Sequence, residues 1–373
     1  MTTEPRTVAV LGGGQLGRML GLAGLEQGLV FRFLDPSPDA PAAAVGTLVT
    51  GALDSPAALD EVVRGATVVT YEWEGVPADA ARHVERTHRV APGVQALEVS
   101  QDRAAEKSLF LSLGIPTADV ANVDDRAGLE LAVTAIGLPA ILKTRRGGYD
   151  GKGQFLLRST GDIEPAWNAL GGVPLILESF VPFRRELSIV AARGIDGATV
   201  CWPVVENEHR SGVLHLTRAP APGWSPSLQA QAESHATAVM DALEFVGVCC
   251  VELFETDAAL LANELAPRVH NSGHWSIEGA QTSQFENHLR AILGLPLGAT
   301  HATCVSAMVN CLGTMPDPSA VLAIEGAHLH DYGKQPRPGR KLGHVTLTAA
   351  DEATLAPRLV RLLSVIDGRA AVE

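Results

Sequence analysis

Two glutamates carry the strongest chemical signal in the chain. An apolar run at 247–254 and a second at 259–266 flank a turn around Thr256 and Asp257, and this pattern predicts a β-hairpin. Counting outward from the turn sets Glu252 opposite or diagonal to Glu264. Carboxylates that close in a partly buried sheet repel unless one is protonated or a cation lies between them. Asn263 adds a neutral oxygen nearby. A few hard oxygens suit magnesium, which takes further ligands from nucleotide phosphates. The plainer alternative, both acids in solvent, sits poorly with the surrounding Val, Leu, Cys and Ala.

A second signal is a glycine loop. Strands are expected at 140–143 and 155–158, and between them run four glycines (Gly147, Gly148, Gly151, Gly153) and three cations (Arg145, Arg146, Lys152). It is not a Walker loop, because no Gly stands five residues before Gly151 and no Ser or Thr follows Lys152. Such a loop can still fold amides and charge over a polyphosphate, with Lys143 projecting from the strand toward the same anion. An ordinary hairpin with solvated charges is the competing account.

Other polar groups surround these two signals. A strand at 175–178 runs into Ser179, Phe180, Val181 and Pro182, whose backbone groups could pair with a purine edge, and Glu186 could accept from ribose hydroxyls. A hairpin containing His209 follows; a lone histidine is more often structural. After the acidic hairpin come Arg268, His270, Asn271 and His274. The two histidines are four apart, but Asn-Ser-Gly between them is a poor helix, so zinc is disfavoured. Arg, His and Asn beside a magnesium hairpin suit a phosphorylated or carboxylated small molecule. Lys334, Arg337, Arg340 and Lys341 crowd a short Pro/Gly segment and suggest an anion site.

The elements that must position these residues begin with repeated βα units. Strands are expected at 7–11, 31–35 and 67–71, with helices after Gly17 and from Asp54, and a Pro/Ala-rich loop between. Alternation of this kind implies a parallel sheet whose ligand crevice lies at the carboxyl ends of its strands, where Gln15, Glu72 and Glu74 fall. Gly12, Gly14 and Gly17 fit the dinucleotide fingerprint, with Asp35 at about the distance of a ribose-binding acid. The glycines fit equally a phosphate at the helix N-terminus or a tight turn. An amphipathic helix is expected at 101–113 and another at 129–136.

Composition bounds the rest. A chain of 373 residues, 46% apolar and 19% charged, is a folded protein of two or three domains. A net charge of −13 repels phosphate backbones and anionic lipid, arguing against nucleic acid and membrane as partners. No run of eighteen apolar residues occurs, and Arg18, Glu26 and Arg32 interrupt the N-terminal stretch, so neither a membrane span nor a signal peptide is expected. The location expected is cytoplasmic. The five cysteines lack CxxC spacing and read as reduced thiols, Cys249 and Cys250 within a buried strand.

The glycine hairpin, the Glu252 and Asn263-Glu264 hairpin and the stretch NELAPRVHNSGHW together resemble the ATP-grasp superfamily. Within it the chain is most similar to the N5-carboxyaminoimidazole ribonucleotide synthases of purine biosynthesis. GGGQLGRML, RRGGYDGKGQ and RPGRKLGH extend the resemblance over nearly the whole length. It implies an α/β protein, α+β in part: a Rossmann-like parallel βα domain at 1–98, ATP-grasp domains at 99–183 and 184–300, and a small β-rich piece at 301–373 completing the second. It implies ATP between two antiparallel sheets, contacted by Arg103, Lys143, Gly148, Tyr149, Asp150, Gly151, Lys152, Gly153, Gln154, Glu178, Ser179, Phe180, Val181, Glu186, His209, Asn263 and Glu264. Glu252 and Glu264 would hold magnesium, with manganese as a substitute. Ribonucleotide contacts would come from Gln15, Leu16, Glu72, Tyr149, Arg268, His270, Asn271, Lys334, Arg340 and Lys341.

The implied enzyme is a carbon–nitrogen ligase that uses ATP and bicarbonate to carboxylate aminoimidazole ribonucleotide through carboxyphosphate. Asp150, Lys341, Arg268 and His270 are its expected catalytic groups, and a homodimer its expected assembly. Arg184 and Arg185 depart from the family pattern in being basic. Rival readings are a related ligase using formate or another carboxylate on another ribonucleotide amine, an oxidoreductase binding NADH through the first domain, and an inert nucleotide-binding protein.

Overall fold

The computed structural model describes residues 6–148 and 151–368, so the expectations placed on Tyr149 and Asp150 lie outside the described residues. Three sheets organise the chain. The first holds β1 (Thr7–Leu11), β2 (Val30–Asp35), β3 (Thr47–Thr50) and β4 (Val68–Tyr71) in the order β3-β2-β1-β4, all parallel. Val8, Ala9, Val10 and Leu11 are fully buried, as a parallel strand covered on both faces requires. β3 falls where the sequence reads as a Pro/Ala-rich loop; four residues bounded by threonines at the sheet edge leave no apolar period.

The second sheet comprises β5 (Val120–Val123), β6 (Ala140–Thr144), β7 (Gln154–Leu157) and β8 (Leu175–Ser179), antiparallel in the order β5-β8-β6-β7. Helices Arg126–Ile136 and Ile163–Leu170 pack on it, Leu129, Val133 and Ala166 sharing a core with Leu177 of β8. The third sheet is continuous and nine-stranded. It contains β9 (Arg185–Arg193), β10 (Thr199–Cys201), β11 (Val205–Arg210), β12 (Val213–Ala219), β13 (Gly247–Glu255), β14 (Leu260–Ala266), β15 (Val305–Leu312), β16 (Ala327–Asp331) and β17 (Lys341–Ala349). Its order is β14-β13-β9-β11-β12-β15-β17-β16, with β10 on β9.

The first sheet shares a core with the third. Val8, Phe31 and Phe33 belong to one apolar cluster with Val190, Trp275, Phe285 and Leu289. At that seam His288 is buried, receiving the Val248 amide on Nδ1 at 3.1 Å and meeting Thr70 Oγ1 through Nε2 at 2.9 Å. A backbone amide can only donate, so Nδ1 accepts and the proton sits on Nε2. All five cysteines are free, and Cys249 and Cys250 are buried in β13. Among the described residues no helix is long and apolar enough to cross a membrane.

Candidate active site

The acidic hairpin forms as its residue pattern predicts. β13 and β14 pair antiparallel with Glu252 directly across from Glu264, and a bulge follows, since Leu253 then faces Ala262. The extra residue is Asn263, which the bulge displaces from regular pairing beside the two acids. Glu264 remains half-exposed toward the cleft. Desolvation by the protein packed around it, and then the facing Glu252 charge, push its carboxyl up from the ordinary range even so. Glu252 goes the other way: although burial opposes it, hydrogen bonding and charge from His270, with His209 and Lys341 nearby, pull it down to about 2. His270 Nε2 lies 3.1 Å from Glu252 Oε1.

Cations converge on this pair from two elements. Lys143 of β6 meets Glu178 of β8 at 2.8 Å. The helix Arg103–Ser112 supplies Arg103, whose guanidinium reaches the Gly148 carbonyl at 3.3 Å and Glu264 at 4.0 Å. The same helix buries Lys107, which donates to the Asn263 carbonyl and lies 3.9 Å from Glu178. Glu106, also buried, accepts from the Leu265 amide at 2.6 Å and is pushed up to about 8 by burial and then by Glu264. Glu106 and Lys107 escape a sequence reading because charges at i and i+3 or i+4 on a helix normally mark a solvated face. The available signal was Asp102, a good helix N-cap, which here accepts from the Ala104 amide.

Asp102 also changes the role of two loop arginines. Arg145 contacts it with both Nε and Nη2, at 3.0 and 2.8 Å, and Arg146 reaches it at 3.2 Å. These two cations therefore anchor the base of the glycine loop to the helix instead of facing a polyphosphate. The β8 segment is corrected similarly. The Ser179 amide is bound by the Asp119 carbonyl and the Phe180 amide by the Pro139 carbonyl, so neither is open to a purine edge. Glu186 contacts His209, raising its imidazole although burial opposes this. Arg184 pairs with Asp257, and Arg185 with Glu255 and Glu206, so both basic departures serve strand neighbours.

The glycine fingerprint has a different occupant from the one its pattern suggests. Glu72, just beyond β4, accepts from the amides of Gly14 and Gly17 at the start of the helix Gln15–Leu25. A Cβ on Gly14 would stand 2.5 Å from its carboxylate, and one on Gly12 2.5 Å from its Cγ. The glycines are thus required by the close approach of Glu72, and the helix N-terminus is supplied with its anion by the chain itself. Asp35 accepts from the Gly13 and Ser37 amides at 2.9 and 2.8 Å, serving the loop rather than a ribose. Leu16 is buried in the core, which limits any ligand contact to its backbone.

The remaining expected contacts lie after β14 and on the C-terminal cation segment. Arg268 pairs with Glu74, whose carboxyl is pulled to about 2 by Arg268 against burial. Lys334 donates to Gln15, joining the C-terminal cation segment to the start of the helix Gln15–Leu25. Arg340 donates to the Gln335 carbonyl at 3.2 Å, and Lys341 opens β17. Among the described residues neither end of the buried Asn271 amide has a partner. His270 and His274 diverge: His270 faces Glu252, whereas His274 meets Gln284 at 3.1 Å and packs on the His344 ring.

Comparison with known proteins accords with this arrangement. Residues 5–101 match the ribonucleotide synthetase preATP-grasp domain, 108–285 the ATP-grasp domain, and 306–358 the phosphoribosylaminoimidazole carboxylase C-terminal domain. The chain is 49% identical over 360 residues to the N5-carboxyaminoimidazole ribonucleotide synthase of Pseudomonas aeruginosa, covering 96% of this chain and 99% of that one. The crystal structure of the synthetase from Thermus thermophilus superposes with a TM-score of 0.94 at 52% identity, covering 98% and 100% of the two chains. That of Aspergillus clavatus, in complex with ADP and 5-aminoimidazole ribonucleotide, superposes with a TM-score of 0.92 at 32% identity, covering 98% and 99%.

Proposed function

The chain belongs to the N5-carboxyaminoimidazole ribonucleotide synthases, a family of ATP-grasp ligases, and from that premise we propose how its residues divide the reaction. The enzyme carboxylates 5-aminoimidazole ribonucleotide to its N5-carboxy derivative at the expense of ATP, a step of purine biosynthesis. Bicarbonate attacks the γ-phosphate to give carboxyphosphate and ADP, and the exocyclic amine then attacks the carboxyl carbon, expelling inorganic phosphate and giving up a proton.

The observation that carries the assignment of roles is the direct opposition of Glu252 and Glu264, with Lys143 and Arg103 close by. Two carboxylates suit magnesium, or manganese in its place, because phosphate oxygens complete the coordination. Magnesium supplies positive charge to the transferred phosphoryl group when bound. Lys143 and Arg103 hold the phosphates, and Glu186 and His209 the ribose side of ATP. The segment 178–181 faces the purine with carbonyls and side chains. The glycine loop closes over the phosphates and excludes water, which protects carboxyphosphate.

For the second substrate, Lys334, Arg340 and Lys341 provide the charge that a ribonucleotide phosphate needs. Glu72 and Gln15 border the sugar, while Asn271, Arg268 and His270 border the imidazole and the acyl phosphate. Asp150 is assigned to steer or deprotonate the amine, Tyr149 to contact the ribonucleotide, and Lys341 to hold the incoming carboxylate. A homodimer in the cytoplasm, divided at about residues 98, 183 and 300, completes the proposal.

Phosphate release is the direct test. It should require the ribonucleotide and bicarbonate together, and formate should not replace bicarbonate. Glu264→Gln should lower turnover by roughly a thousandfold, while thermal unfolding without ligand stays unchanged or rises because a repelling charge is gone. Full activity in this variant would remove the metal role.

A further inference from the structure

A row of polar side chains crosses the middle of the large sheet where apolar residues would pack more simply. Thr217 of β12, Asn207 of β11 and Ser188 of β9 are buried, as is Ser272 in the turn after β14. They are joined in sequence. The Thr217 hydroxyl donates to Asn207 Oδ1 at 2.9 Å, Asn207 Nδ2 donates to Ser188 Oγ at 2.9 Å, and Ser188 donates to Ser272 Oγ at 2.7 Å. Ser272 Oγ in turn lies 2.8 Å from His270 Nδ1. A hydroxyl can donate or accept, so this last contact survives whichever nitrogen carries the proton.

The row ends at the ring whose other nitrogen faces Glu252. His270 is held twice over. Its backbone is clamped by Gln284, which accepts from the His270 amide at 2.8 Å and donates to its carbonyl at 2.6 Å. Gly273 permits the clamp, since a Cβ there would stand 2.5 Å from Gln284 Oε1. The ring itself meets β13 directly at Glu252 and reaches β9 through Ser272. Each link is buried and bonded to its neighbour, with Cys250 Sγ also 3.8 Å from Ser272 Oγ, so the row is stiff: loss of one hydroxyl leaves a desolvated partner that must move to regain a bond.

We propose that Ser188, Asn207 and Thr217 are positioning residues for the ribonucleotide half of the reaction, acting through Ser272 to fix the His270 ring and the adjoining Asn271. Three strands thereby share the orientation of a turn that none of them carries. This rests on the substrate reading above, because His270 and Asn271 are taken there to border the imidazole.

The test is steady-state kinetics on full-length variants, with thermal unfolding alongside. Ser188→Ala should lower kcat/KM for aminoimidazole ribonucleotide at least tenfold while the KM for ATP stays within twofold. Thr217→Val, two links further away, should lower it about threefold, and Thr217→Ser, which keeps the hydroxyl, should match the parent. A triple variant, Ser188→Ala with Asn207→Leu and Thr217→Val, replaces the row by apolar groups; it should unfold near the parent temperature yet keep the kinetic defect. Recovery of kcat/KM in the triple variant, or a parent-like Ser188→Ala, would overturn the proposal. Failure of the substrate reading would show separately, as absence of ribonucleotide-dependent phosphate release by the parent enzyme.

Discussion

Lys334 meets Gln15 across the cleft, and burial, followed by the charges of Arg340, Lys341 and Arg337, pushes its ammonium down to about 8. In the free enzyme it is charged below that pH and neutral above it. A phosphate-binding lysine must be charged, and kcat/KM reports the free enzyme. The expected outcome is that kcat/KM for the ribonucleotide falls as pH rises through about 8, while Lys334→Arg carries the plateau to higher pH. A profile measured from about pH 7 to about pH 9.5 decides it; an identical fall in the arginine variant would assign the titration elsewhere. The cation cluster was visible in the sequence because four positive charges stand out in a chain of net charge −13. Its link to Gln15, 319 residues away, was not, since nothing local encodes a contact across that separation.

Between elements, Glu178 does the most binding together. From β8 it neutralises Lys143 of β6 and Lys107 of the helix Arg103–Ser112, which is itself tied to β14 through the Asn263 carbonyl. Glu178→Gln would take from Lys107, 2% exposed, the strongest of its acidic partners, ahead of Glu106 and Glu264. Stranding a buried charge costs about 3–5 kcal/mol. Denaturant unfolding of the ligand-free variant should show a loss of this size, and a change below about 1 kcal/mol would refute the role. The acidic hairpin was legible because two apolar runs about a turn fix which residues face each other. Its bulge at Asn263 was not, because one extra residue leaves the apolar pattern intact. Ser188, Asn207 and Thr217 were hidden for a related reason: a polar residue in a strand reads as its solvent face until the layers packed on it are known. The arginines at 145 and 146 misled in the opposite sense, since a capping aspartate claims them first.

At the scale of the molecule, the first sheet and the large sheet are one body around a common core, with His288 at the seam. Burial holds its imidazole down to about 3. Its folded pKa lies below the unfolded value of about 6.5, so the stability it contributes is present above that pH and is lost as pH falls from there toward 3. Buried His274 and His344 are shifted the same way, chiefly by burial. The midpoint of thermal unfolding should therefore drop between about pH 6.5 and about pH 4.5, before most carboxylates protonate. His288→Gln should flatten part of that drop; an unchanged slope would exclude the seam histidine as a source. The carboxylate of Glu72 in the glycine loop has a consequence for inhibitors. Any anionic compound aimed at that helix start competes with a resident acid held on a short tether, at an effective concentration of millimolar order or above. Eviction would also send a buried carboxylate looking for new donors, so selective ligands should approach the glycine amides with neutral hydroxyls and keep their negative charge for Lys334 and its neighbours.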